Sequence, residues 1–121
     1  MDVIVNIGLA RQGKSNIAIE TVLREVASHG FEVVEHITLE SDTEPTVVAR
    51  LRTVQSWATV QRRVHYLSIL LGQDCIAVYE LSLGKGALCG PRASEWGTFN
   101  PDFFLLFDNS RLSQHLQAFA A

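Results

Sequence analysis

Phe31-Glu32-Val33-Val34-Glu35-His36-Ile37-Thr38-Leu39-Glu40, then Ser41-Asp42-Thr43-Glu44-Pro45, then Thr46-Val47-Val48-Ala49-Arg50-Leu51-Arg52: two alternating segments stand on either side of a short polar run. In the first part Phe31, Val33, Ile37 and Leu39 share one side with Glu35. Glu32, Val34, His36, Thr38 and Glu40 share the other. A period of two belongs to a strand with one buried face. In the last part Val47, Ala49 and Leu51 alternate with Val48, Arg50 and Arg52. Two alternating strands across a short polar turn predict an antiparallel hairpin. If the hairpin pairs this way, His36 stands on its polar side near Arg50 and Arg52.

Outward from the hairpin, each flank reads as a strand and a helix. Upstream, Val3 to Ile7 is short and β-branched, as a strand should be. Ile19, Val22, Leu23, Val26 and Ala27 then recur at helical spacing, and Gly30 sits where a helix-ending glycine belongs. Downstream, Trp57, Val60, Val64, Leu67 and Leu71 mark a second helix ending at Gly72. Cys75 to Leu81 predicts a strand, Gly84-Lys85-Gly86 a turn, and Ala87 to Cys89 a short strand closing a hairpin before Gly90-Pro91. Arg92 to Phe99, with Trp96, reads as a loop. Asn100-Pro101 resembles a helix start, Phe103 to Phe107 fits either helix or strand, and Ser110 to Phe119 predicts a terminal helix.

The predicted class is therefore α+β, one domain over residues 1–121. Its order is β-α-β-β-α-β, the split-βαβ or ferredoxin-like order, with an added β-hairpin and a C-terminal helical segment. Both helices are expected on one sheet face, against Val3, Val5, Ile7, Phe31, Val33, Ile37, Val47, Ala49 and Leu51.

Composition narrows the function classes. Of 121 residues, 47% are apolar and 19% charged, enough to bury a core and unlike a disordered chain. Ten basic residues against thirteen acidic ones give −3, which argues against duplex nucleic acid as a partner. No apolar run nears the roughly 20 residues of a membrane span, and Met1-Asp2-Val3 lacks a signal peptide's basic head, so a cytoplasmic protein is expected. In that compartment Cys75 and Cys89 are expected to be reduced, and their spacing fits no zinc pattern. Cys75, in an apolar run, reads as a small packing residue.

One motif match stands out. Gly8-Leu9-Ala10-Arg11-Gln12-Gly13-Lys14-Ser15 satisfies G-x-x-x-x-G-K-[ST] between a predicted strand and helix, and so resembles the phosphate loop of P-loop nucleotide-binding proteins. Phe103 to Asp108 likewise resembles their second metal-binding element. The resemblance implies that Gly8 and Gly13 shape a phosphate cradle, Lys14 reaches the β/γ oxygens and Ser15 holds magnesium. The surrounding chain points the other way, because that loop belongs at the carboxyl edge of a parallel sheet and residues 31–52 read as an antiparallel hairpin. The simpler expectation is a polar turn with Lys14 solvated and Ser15 or Asn16 capping the helix.

His29, His36, His65 and His115 are scattered over four elements with no metal-ligand spacing, so no metal and no cofactor is expected. A Cys75–His65 nucleophile pair would need a third, orienting group that the sequence does not identify. Arg50, Arg52, Arg62 and Arg63 read as a solvated basic face. Trp57 fits both its helix's core stripe and an interface; Trp96 fits an interface anchor.

The sheet's outer face carries the functional expectation. Ile4, Val34, Val48, Ile76 and Val78 are expected there, mixed with Asn6, His36, Thr38, Arg50, Arg52 and Glu80. Such a mixed apolar face calls for cover, by the C-terminal segment, a second subunit, another protein or a ligand. The reading favours a non-enzymatic binding module, a homodimer or partner of another protein, over an enzyme. A mobile-element accessory protein would share these features. The alternatives are nucleotide binding through Gly8 to Ser15, and a small enzyme with a pocket at the outer face using His36 and Arg50.

Overall fold

The computed structural model describes residues 1–10, 13, 15–39, 45–82 and 84–96. The elements run β1 (Asp2–Gly8), α1 (Ile19–Ser28), β2 (Glu32–Leu39), β3 (Thr46–Arg52), α2 (Trp57–Leu70), β4 (Ile76–Glu80) and β5 (Lys85–Cys89), followed by a short 3-10 turn (Ala93–Trp96). The chain is α+β. Its sheet has the order β2-β3-β1-β4-β5, and every neighbouring pair is antiparallel. The predicted elements from Asn100 onward lie outside the described residues.

Both helices end as their sequences predict. After Ser28 and after Leu70 comes one capping residue, then Gly30 (φ 89°) or Gly72 (φ 67°) in the left-handed region that a side chain disfavours. The starts differ. Ser56 caps α2, its hydroxyl oxygen accepting from the Thr59 N–H at 3.3 Å. The N-cap of α1 is Ala18, without a side-chain bond, so neither Ser15 nor Asn16 caps that helix. The second turn also differs from expectation, since Lys85 and Gly86 already belong to β5.

One layer of core lies between sheet and helices. Val3, Val5, Ile7, Phe31, Val47, Ala49 and Leu51 pack against Val22, Val26, Val60, Val64 and Leu67, with Val33 and Trp57 partly buried at the margin. Ile37 is not among them. The pairing of β2 with β3 shifts between Val33 and Glu35: Val33 opposes Leu51, but Glu35 opposes Arg50 and Ile37 opposes Val48. This β-bulge at Val34 inserts one residue, so everything beyond it exchanges faces. Ile37 turns to the outer face, and His36, opposite Ala49, turns to the helix side.

Ile76, Val78 and Glu80 correct the second expectation of facing. Val78 opposes Val5 and Glu80 opposes Val3, which places all three on the helix side, while Ala77 and Tyr79 face outward. Among the described residues no helix is long and apolar enough to cross a membrane.

Candidate functional site

The outer sheet face is built from three antiparallel rows. Glu35, Arg50, Ile4 and Tyr79 form one; Ile37, Val48, Asn6 and Ala77 the next; Glu32, Arg52 and Asp2 a third at the end. Its apolar centre is closed: Ile4 is 0%, Val48 1% and Ile37 4% exposed, with Ala77, Tyr79 and Leu81 packed around them. At one margin Asp2 takes two guanidinium contacts, Arg50 Nη2 donating to Oδ2 at 2.8 Å and Arg52 Nε to Oδ1 at 3.1 Å. The Arg50 bond, then the Arg52 contact, hold the Asp2 carboxyl below its ordinary range against the opposing effect of burial. Asn6 Oδ1 and Glu35 Oε2 are buried without a hydrogen-bond partner among the described residues.

Of the residues expected on this face, the structure brings Ile4, Asn6, Val48, Arg50 and Arg52 together there. Val34 stands apart on the bulge, 37% exposed. His36 is exposed on the other side, and Ile76 and Val78 are core. Ile37 was the outer-face residue that the alternation hid, since nothing in the spacing marks a bulge.

Gly8 ends β1, between β3 and β4. Gly13 has φ 67°, and the Ile17 N–H donates to the Leu9 carbonyl at 2.8 Å, closing the intervening loop at its base. Lys14 lies outside the described residues. The helix begins at Ile19, after an extended Ala18, so Ser15 does not open it as a phosphate loop requires. Of the predicted nucleotide-binding residues that are described, Gly8 thus ends a strand of an antiparallel sheet, and Gly13 and Ser15 precede the helix start.

Helix α2 presents a second surface. Its inward stripe, Val60, Val64 and Leu67, is the predicted one. Its outward side carries Tyr66, Ile69 and Leu70 at 51%, 53% and 47% exposure, together with Arg62 and Arg63 and no acidic residue. Tyr66 meets the His29 ring at a centroid distance of 5.5 Å, and His29 Nδ1 lies 2.6 Å from the Glu25 carbonyl oxygen. The four arginines thus divide between two places, Arg50 and Arg52 on the sheet and Arg62 and Arg63 on this helix.

Between α2 and β5 an open groove of about 320 Å³ is lined by Gln61, Arg62, His65, Leu88, Cys89 and Gly90. His65 and Cys89 both line it, and the thiol is buried. Burial, with a smaller effect of Cys75, pushes the Cys89 thiol up to about 11. Burial followed by Asp74 raises that of Cys75 as well, and a thiol so shifted is a poor attacking group. Among the described residues no three His, Cys, Asp or Glu side chains gather as a metal site would need.

Comparison with known proteins adds little to this geometry. No protein-family model matches the chain, and no curated protein does. Among solved structures it is similar to a chain described as a phage SAM lyase in the apo state, at 14% identity and a TM-score of 0.45 over 64% of this chain and 75% of that one. A likeness of that size carries neither fold nor function across.

Proposed function

We propose that the chain is a small cytoplasmic binding module on a ferredoxin-like frame, and that it self-associates through the outward side of α2. The strand order β2-β3-β1-β4, with β5 added beside β4, supports the frame. The observation that carries the reading is the exposure of Tyr66, Ile69 and Leu70 on one helix side. Large apolar side chains scattered singly need no explanation, but three adjacent ones half open to water favour an interface. The sheet face, where association was first expected, supports it less, because its apolar centre is already closed within one chain.

The chemistry of α2 fits a second copy. Arg62, Tyr66, Ile69 and Leu70 follow helical spacing along one side. Two such helices crossing antiparallel over Tyr66 would hold their Arg62 residues about 12 Å apart, beyond most of the screened repulsion at physiological salt. Leu70 of each copy would lie beside the aliphatic stem of the other's Arg62. Three half-exposed side chains fall short of the roughly 800 Å² per partner of a standard interface, so the dimer is weak, with a dissociation constant on the order of 10–100 µM.

Sedimentation velocity across that concentration range tests this. The unmodified chain should shift from monomer to dimer, and Tyr66→Glu with Ile69→Glu should remain monomeric and folded. A monomer throughout, or a dimer indifferent to both changes, would discard the reading.

A further inference from the structure

The two walls of the groove between α2 and β5 differ in kind. Gln61, Arg62 and His65 stand on the helix wall, three and four residues apart and so on one side. Leu88, Cys89 and Gly90 form the strand wall, which carries no charged side chain. Gly90 draws the walls together at one end, where a Cβ would meet Ser68 Oγ at 3.0 Å. At about 320 Å³ the groove falls at the low end of the range for small-molecule sites.

The helix wall suits negative charge. Trp57 to Leu70 holds Arg62, Arg63 and His65 and no acidic residue, in a chain whose formal charge is −3. The Arg62 guanidinium is positioned by its own helix: Nη2 donates to Thr59 Oγ1 at 3.1 Å, and Ser56 Oγ donates to the same oxygen at 3.0 Å. That bond engages one part of a five-donor fork. Among the described residues no carboxylate takes the remainder. Asp74, whose carbonyl borders Gly90, and Glu95 both pair with Arg92 instead. The Gln61 amide and the His65 ring also have no hydrogen-bond partner among the described residues. Opposite them, Cys89 adds no opposing charge, since burial keeps its thiol protonated at neutral pH.

We infer that this groove binds a small organic anion: a carboxylate or phosphate head on Arg62, with Gln61 and His65 as further donors, and an apolar body against Leu88 and Cys89. Arg62 is exposed, so the ion pair stays wet and the dissociation constant is on the order of 1 mM. Tyr66, Ile69 and Leu70 do not line the groove, so this site stands or falls apart from association through α2.

The test follows amide chemical shifts of the isotopically labelled full chain during titration with phenyl phosphate, benzoate and the neutral benzyl alcohol. Both anions should give saturable shifts at Gln61, Arg62, His65 and Leu88 to Gly90, and the tighter of the two assigns the head group. Benzyl alcohol should give none that saturates. Arg62→Gln should weaken anion binding about fivefold, while Arg63→Gln, an equal change of charge one residue away, should leave it unchanged. Equal loss in both variants would mean general attraction to a basic helix. Benzyl alcohol binding as tightly as the anions would mean an apolar cleft, and no saturable shift by about 20 mM anion would mean no site. Each of these three results overturns the proposal. If Arg62→Gln unfolds the chain by circular dichroism, Gln61→Glu, which sets a carboxylate on the same wall, has to weaken anion binding as much.

Discussion

Asp2 is the residue whose electrostatics are most clearly drawn. Its carboxylate is gripped by Arg50 and Arg52, and its folded-state pKa lies below the ordinary 3.8. A depressed carboxyl pKa adds stability that is fully present above the unfolded value and lost as pH falls through the folded one. Asp2→Asn should therefore cost about 0.5–1 kcal/mol at pH 7, a drop of some 2–6 °C in melting temperature, given the partial exposure of the pair. The gap between variant and parent should close as the melts are repeated down to about pH 2. A gap that stays constant with pH would mean that lost packing, not charge, is responsible. The two thiols offer a second residue-scale contrast. With its pKa at about 11, Cys89 is thiolate to only about one part in a thousand at pH 8, and it is buried. Iodoacetamide should label the half-exposed Cys75 first and reach Cys89 only on unfolding; equal labelling rates in the native protein would contradict this placement.

At the scale of elements, Gly90 governs how β5 meets β4. A Cβ there would stand 2.5 Å from the Asp74 carbonyl oxygen and 2.6 Å from Cys75 Cα, both backbone atoms that cannot swing aside. Gly90→Ala should destabilise the fold by about 2 kcal/mol or more, measured as a lower urea midpoint at unchanged slope. A neutral effect would show that the β5 end yields freely. The elements themselves were legible in the sequence: helical spacing found both helices, the two glycines marked where they stop, and alternation located the central hairpin. What escaped was the phase of two strands. Cys75 to Leu81 is nearly all apolar, so alternation of polarity leaves its phase open, and Ile76, Val78 and Glu80 are expected outward from the sequence. Glu80 instead is 1% exposed on the helix side, its Oε1 accepting from the N–H and hydroxyl of Ser82. Those bonds give a buried carboxylate partners within two residues, and a pattern of polarity cannot register them. In β2 the missing signal is Val34, an apolar residue whose role as an insertion leaves no mark in composition.

At the scale of the whole molecule, the candidate site moved because of those two phases. With Ile76 and Val78 in the core and Ile37 brought outward, the outer face keeps its apolar centre but draws it from different strands. The surface left open is on α2, where Tyr66, Ile69 and Leu70 fall outside the stripe that identified the helix. The sequence held that signal, since a helix with apolar residues on two sides has one more face than its own core requires.

The bulge at Val34 also bears on how the protein can meet its neighbours. Among the described residues β2 and β5 are the outermost strands of the sheet, and an edge of this kind offers a row of backbone groups along which another chain could stack. β5 is only five residues long. The longer rim, β2, is interrupted at Val34 and carries Glu32, Glu35 and His36 around the break. A kinked, charged rim is a poor template for strand addition, so the chain is guarded against the open-ended stacking that leads to fibrils. Any contact between copies would then fall to side chains rather than to strand edges.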